Sequence, residues 1–340
     1  VRIAQIATCT TPVRPDHAGS VELLVWLLSR ELTRMGHEVT VFGAAGASVQ
    51  CDFVATLPGT YGENGAPDDW VLCEWINLAA GLARAGRFDV VHSHVYTWGL
   101  PLAPATPTPM VHTLHILPAE DDARTWRLHP ASHVTALSRY QWAEFPDLTP
   151  AAVVPHGVDP AAFTPRFEPG EHLVYLGRFI ENKGSLDAIA VARAVGLPLV
   201  LAGPANDYFE RHVRPLVDGV QVRYVGPVDT AGRDALLGGA AALIYPLREP
   251  EPFGLVQVEA MMCGTPVVAT AVGAVPEIVT PGVTGELAAT VAELPAAVAR
   301  ALRLDRRSVR REAVKRFGVR RMAMDYVRLY EAVVRRGGGV

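Results

Sequence analysis

Glu251 and Glu259 stand at the two ends of EPFGLVQVE, separated by seven uncharged residues, and the chain then runs on apolar as AMMCGTPVVAT. AALIYP (241–246) reads as a strand, residues 247–253 as a loop leaving its carboxyl end, and the next stretch as a helix starting near Gly254. Glu251 then sits just ahead of Phe253, Gly254 and Leu255, whose amides are first-turn donors suited to anionic or hydroxyl oxygens. Glu259 falls about one and a half turns further in, on a helix apolar on most faces. A carboxylate there needs partners, and two vicinal hydroxyls of a ribose would supply them. The plainer alternatives are helix capping for Glu251 and a solvated position for Glu259.

A second group lies in GRFIENKG (177–184). Arg178 follows a strand that ends at Gly177, and Lys183 comes just before Gly184 and Ser185 open a helix. Two cations beside a helix N-terminus make a site for a diphosphate. The alternative is a loop with solvated charges. HAGS (17–20), at the start of the first helix, places Gly19 and Ser20 where backbone amides are exposed, a pattern many helices share. His92, His94, His112 and His115 all fall at strand ends. A His-x-His metal pair would need further His or Asp ligands at later strand ends. Those strands end instead in Gly177, Gly203, Gly226 and Pro246, and no Asp-x-Asp occurs. His115 is therefore expected to meet a substrate, and His94 to pack or cap.

These residues need a scaffold that gathers strand ends. RIAQIA (2–7), 39–42, FDVVHSH (88–94), MVHTLH (110–115), VTAL (134–137) and AVVP (152–155) read as strands, with a helix over 19–36. The pattern restarts with strands at 173–179, 197–203, 220–226, 241–246 and 265–270, and a helix over 183–196. Such alternation implies two parallel sheets covered on both faces, with ligands at the carboxyl ends of the strands. A chain of 340 residues exceeds what one core usually holds. The linker is read at VPHGVDPAAFTPRFEPG (154–170), with four prolines. The tail from Arg306 to Arg336 reads as helix, basic on one side, with Val309, Ala313, Phe317, Met322, Tyr326 and Leu329 as an apolar stripe. It is expected to dock on a domain rather than lie on a membrane.

The net charge of -4 argues against a general nucleic-acid binder. Cys9, Cys51, Cys73 and Cys263 form no CxxC pair, which suits a reduced, cytoplasmic chain. No apolar stretch reaches the roughly 18 residues of a spanning helix, and VRIAQIATCT is too short for a secretory h-region.

Taken together, these motifs resemble the family-4 glycosyltransferases, retaining sugar transferases of the GT-B fold. The resemblance runs along nearly the whole chain: Gly19-Ser20 followed by Glu22, GHEVTVF (36–42), FDVVHSH, HTLH, VVPHGVDPAAFTP, YLGRFIENKG, LAGP, VRYVGPV, the Glu251-to-Glu259 stretch, GTPVVAT and GAVPEIV, in order. It implies an α/β architecture of two facing Rossmann-like, doubly wound domains with a cleft between them. The expected divisions are an acceptor domain over 1–155, a donor domain over 156–318, and a helix over 319–340 crossing back to the first domain. Carried over residue by residue, it implies that Arg178 and Lys183 neutralise the donor diphosphate, with Gly19 and Ser20 contacting it from the first domain. Glu251 would lie near the transferred sugar, with the amides of Phe253, Gly254 and Leu255 holding its hydroxyls or phosphate. Glu259 would bind the ribose, the backbone near Val228 would read the base, and His115 would sit beside the sugar on the acceptor side. Two departures stand out. Ser20 replaces the usual second glycine, and His156 replaces the usual asparagine before Gly157, a change expected to affect the linker and not the chemistry.

The resemblance implies a hexosyltransferase acting with retention and without a cofactor or metal. Its donor would be a nucleotide-diphosphate sugar, UDP-linked by family habit. A front-face substitution needs no dedicated base; a double displacement would make Glu251 the nucleophile. A sugar-nucleotide epimerase or hydrolase and a non-catalytic nucleotide-sugar binder are the competing classes. The acceptor is expected to be read by GTYGENGAPDDW (59–70) and LPAEDDARTW (117–126), with Tyr61, Trp70 and Trp126 as stacking faces. A soluble saccharide or natural product suits these loops better than a membrane lipid. The Ala-, Val- and Arg-rich composition is similar to that of transferases from bacterial oligosaccharide-antibiotic pathways, such as that of avilamycin.

Overall fold

The computed structural model describes residues 1–16 and 20–337, so Gly19 lies outside the described residues. The chain runs β1 (Arg2–Ile6), α1 (Ser20–Arg34), β2 (Glu38–Ala44), β3 (Asp52–Leu57), α2 (Trp70–Leu82), β4 (Val90–Ser93), β5 (Met110–Thr113), α3 (Glu120–Leu128), β6 (His133–Ala136) and β7 (Ala152–Val153). The alternation then starts again with β8 (Leu173–Leu176), α4 (Ser185–Val195), β9 (Leu199–Ala202), β10 (Val222–Tyr224), α5 (Thr230–Gly238) and β11 (Ala242–Tyr245). It continues with α6 (Leu255–Met262), β12 (Val267–Thr270), α7 (Val275–Ile278), β13 (Gly285–Ala288), α8 (Leu294–Ala301), α9 (Arg306–Phe317) and α10 (Val319–Gly337).

Two compact units result: Val1–Gly157 with Val319–Val340, and Val158–Gly318. The first holds a sheet of order β3-β2-β1-β4-β5-β6-β7 and the second one of order β10-β9-β8-β11-β12-β13. Every pairing in both is parallel. The central strands β4, β5, β8, β9, β11 and β12 are buried along their length, which parallel strands require when helices cover both faces. In each sheet the order in which strands are added reverses at one point, between β1 and β4 in the first unit and between β8 and β11 in the second. A crevice forms there outside the strand ends.

Several elements differ from the sequence reading. Strands β3 and β13 and helix α2 were not anticipated. LPAEDDARTW is mostly helix α3, begun by a run of acids that suits a helix N-terminus and closed on itself by Asp122 accepting from the Ala119 amide at 2.9 Å. The basic tail is two helices. They part at Gly318, where an added Cβ would meet the Val314 carbonyl at 2.7 Å. Val309, Ala313 and Phe317 of the stripe are buried in the second unit, while Met322, Tyr326 and Leu329 are buried in the first. There, α10 packs on α1 through Leu24, Val25, Leu28 and Leu32.

Candidate active site

In the second unit, the β8 and β11 ends bring Lys183 and Glu251 together. Lys183 closes a short turn before α4, and Gly184 follows at a φ of 68°, where a Cβ would also lie 2.0 Å from the Pro246 carbonyl oxygen, so only glycine fits. Lys183 Nζ donates to Glu251 Oε2, and the Tyr245 hydroxyl donates to Oε1. Burial first, and then the Glu251 charge, push the Tyr245 phenol well above its usual range, so it remains a donor. The Lys183 ammonium also lies 5.9 Å from the Tyr245 ring centroid. Arg178 is exposed after β8, and its charge reaches both Tyr175 and Tyr245. No hydrogen bond or ion pair engages its guanidinium among the described residues, which leaves a cation available to a ligand.

The loop carrying Glu251 is pinned from two sides. Arg248 pairs with Asp187 of α4 at 2.6 Å and donates its amide to the Asn182 carbonyl, and Asn182 donates to Glu249 at 3.1 Å. Ile180, Glu181, Asn182, Arg248 and Glu249 line a cavity of about 430 Å³ there. On the other side, the Ala274 amide donates to the Glu251 carbonyl at 3.4 Å.

Helix α6 starts at Leu255, with Gly254 capping it at a φ of 110°. A Cβ on Gly254 would stand 2.6 Å from Glu251 Oε1 and 2.3 Å from Gln257 Nε2. Gln257 is fully buried with both amide atoms unpartnered among the described residues, a residue the sequence reading passed over although it interrupts an apolar helix. Phe253 turns its ring into the core, edge-on to Phe317 at 5.9 Å, so only its backbone can face a ligand. Glu259 is not solvated, as its plainer alternative had it: it is 5% exposed, and its Oε2 lies 3.1 Å from Arg233 of α5. Burial raises its carboxyl above the ordinary range, with Arg233 pulling the other way. Its Oε2 still lacks a hydrogen bond among the described residues. Val228 is half-buried just before α5.

In the first unit, the β1, β4 and β5 ends frame a cavity of about 190 Å³ lined by Thr8, Thr10, Val21, Glu22, His94, Tyr96, His115 and Ile116. Glu22 is buried and accepts from the Thr8 hydroxyl and the Thr10 and Thr11 amides. Ser20 opens α1 next to this group. Tyr96 holds a φ of 42°, a left-handed conformation that a non-glycine residue keeps only under constraint. His94 neither simply packs nor caps: it hydrogen-bonds His115 at 2.9 Å and Gln5 at 2.8 Å. His92 bonds Tyr330 and Thr113. Among the described residues no group of three or more His, Cys, Asp or Glu is placed to hold a metal ion. His156, expected to matter only for the linker, stacks parallel on His115 with centroids 5.4 Å apart, so that departure falls on the site.

The aromatic faces differ from expectation as well. Trp126 is buried edge-on against Trp142, while Trp70 and Tyr61 are exposed. Trp70, Trp75, Tyr96 and Trp98 form a stack, with Tyr96 on Trp98 at 5.1 Å and Trp98 on Trp75 at 5.5 Å. Three of these rings lie outside the loops singled out in the sequence, because α2 and the turn after β4 supply them.

Two doubly wound sheets in tandem, each with a polar cluster at its switch point, are the architecture of the GT-B class. Residues 21–162 match Glycosyltransferase Family 4, and residues 170–304 match Glycosyl transferases group 1. The chain belongs to the family-4 glycosyltransferases. It is 28% identical to the D-inositol 3-phosphate glycosyltransferase of Pseudarthrobacter chlorophenolicus, over 84% of this chain and 83% of that one. It superposes on a glycosyltransferase involved in avilamycin A biosynthesis with a TM-score of 0.73 and 27% identity, over 99% and 98% of the two chains. With Anabaena HepE in complex with UDP and glucose, the TM-score is 0.71 at 18% identity, over 97% and 99%; that likeness is one of fold.

Proposed function

We propose that this glycosyltransferase moves a sugar from a UDP-linked donor to a saccharide or natural-product acceptor, with retention and without a divalent metal. The observation that carries the reading is the Lys183–Glu251–Tyr245 cluster at the second unit's switch point, with Arg178 unengaged among the described residues. As the bond between the sugar and the diphosphate breaks, its electron pair passes to the leaving phosphate oxygen. Arg178 and Lys183 supply the positive charge that this step demands, in place of a metal ion. The acceptor oxygen attacks the same face of the sugar, and its proton passes to the departing phosphate oxygen. Glu251 has both oxygens engaged by donors, which weakens it as a nucleophile and favours the front-face path. Glu259, with Arg233 beside it, would take the ribose. Uridine is favoured because HepE, of like fold, was crystallised with UDP.

The test is calorimetric binding of UDP, GDP, ADP and dTDP in EDTA to wild type and to Glu259→Ala, followed by turnover with Lys183→Ala. UDP alone is expected to bind tightly, and Glu259→Ala to lose most of that affinity. Lys183→Ala is expected to lower kcat roughly 100-fold with the fold intact. Binding that requires metal and ignores Glu259, or full activity of Lys183→Ala, would sink the assignment. Rapid turnover of donor without any acceptor would point to a hydrolase or epimerase.

A further inference from the structure

A continuous line of hydrogen bonds runs through the first unit, and its direction is set at one end by a backbone carbonyl. The His112 carbonyl can only accept, so the Thr135 hydroxyl donates to it at 3.3 Å. Thr113 must then donate to Thr135 at 2.5 Å, and having no second proton it accepts from His92 Nε2 at 2.7 Å and from the Tyr326 hydroxyl at 3.1 Å. A neutral imidazole has one N–H, so His92 Nδ1 accepts from the Tyr330 hydroxyl at 2.6 Å. Tyr330, its proton spent, accepts from Gln5 Nε2 at 3.0 Å. This turns Gln5 Oε1 towards His94 Nε2, which donates at 2.8 Å. His94 Nδ1 is thereby an acceptor and takes the Nε2–H of His115 at 2.9 Å. What remains is His115 Nδ1, which is buried and has no partner among the described residues, in a ring that lines the cavity. Burial keeps the imidazoles neutral, holding His92 and His94 well below the ordinary histidine value and His115 at about 3.

We infer that Tyr330, His92 and Gln5 are positioning residues that lock His115 in its Nε2–H tautomer, so that it offers its ligand a bare Nδ1 acceptor and selects a hydroxyl group that donates. This rests on the proposed function only in taking that ligand to be a sugar or acceptor hydroxyl. It gives helix α10 a role at the cavity beyond packing, because Tyr330 sits mid-relay. A ligand presenting a carbonyl or ether oxygen at this point would meet an acceptor and be rejected.

The tautomer can be read directly from two-bond nitrogen–proton correlations of the intact protein labelled at histidine, with His115→Gln assigning the signals. Wild type is expected to show His115 as a single Nε2–H form. Tyr330→Phe removes the hydroxyl in mid-relay and is expected to give a mixture of tautomers at His94 and His115. Thr135→Val, which cuts the anchor far from the cavity, should do the same and serves if Tyr330→Phe folds poorly. In turnover, Tyr330→Phe should raise acceptor or donor KM roughly three- to tenfold with kcat little changed, the scale of one hydrogen bond. An Nδ1–H form of His115 in wild type would overturn the inference. So would an unchanged single tautomer in folded Tyr330→Phe or Thr135→Val. The spectra need no turnover, so inactivity of the wild type would count against the proposed function and leave the relay standing.

Discussion

Glu74 shows how much a single buried carboxyl governs. It lies on α2 at 3% exposure, its Oε1 accepting from the Cys9 amide at 2.7 Å and its Oε2 without a partner among the described residues. Burial, aided by nearby Glu22 and opposed by the amide, pushes it from 4.5 up to about 7. A carboxyl whose folded value is raised holds its proton more tightly folded than unfolded. Stability then falls as pH rises from about 4.5 to about 7 and levels off above, a change on the order of 3 kcal/mol. Glu74→Gln keeps the oxygen that accepts from Cys9 and removes the ionisation. Its melting temperature is expected to lose that slope and exceed wild type at pH 8; parallel profiles for the two proteins would refute the assignment. At this scale the sequence exposed Lys183 and Glu251, because their strand-end positions are visible in the apolar pattern. Tyr245 and Gln257 were hidden, since a tyrosine ending a strand and a glutamine in a helix carry no signal until their neighbours are known.

Among the elements, the turn into α6 controls the site. Gly254 combines a left-handed backbone with the close approach of Glu251 and Gln257, and each of these favours glycine there. Gly254→Ala forces a side chain into that conformation, at a cost of about 1–3 kcal/mol, and displaces the Glu251 carboxylate. The expected result is a melting point lower by several degrees together with weaker nucleotide binding. A variant matching wild type in both would show that the turn relaxes without consequence. Eleven of the thirteen described strands were legible because they are short, apolar and flanked by Gly, Pro or Asp. Helix α3 was not, because a nine-residue segment opening Glu-Asp-Asp looks like a surface loop until Trp126 is seen buried. Strand β3 was missed for a related reason: it lies at the sheet edge and is only partly buried, so its apolar signal is weak.

For the whole molecule, the first unit is completed by the end of the chain. Met322, Tyr326, Tyr330 and Val333 of α10 fill the core against α1. Each large apolar group is worth roughly 1.5–3 kcal/mol on burial, so together they rival the 5–15 kcal/mol that holds a typical domain. A chain ending at Gly318 is expected to lose cooperative melting of the first unit, whereas residues 158–318 alone should melt as one transition. A fully folded, soluble 1–318 would contradict this. The sequence by itself determined the two-sheet α/β architecture, the restart near the linker and the strand-end placement of Arg178, Lys183, Glu251 and His115, because periodicity and turn residues are local properties. Only the tertiary structure decided what those residues touch. Tyr330 meets Gln5 across 325 positions of sequence, and Tyr245 meets Glu251 only after the loop folds back. His156 stacks on His115 although the two lie in different segments. Hydrogen-bond direction, tautomer and burial depend on atoms from distant elements, and no local pattern encodes those distances.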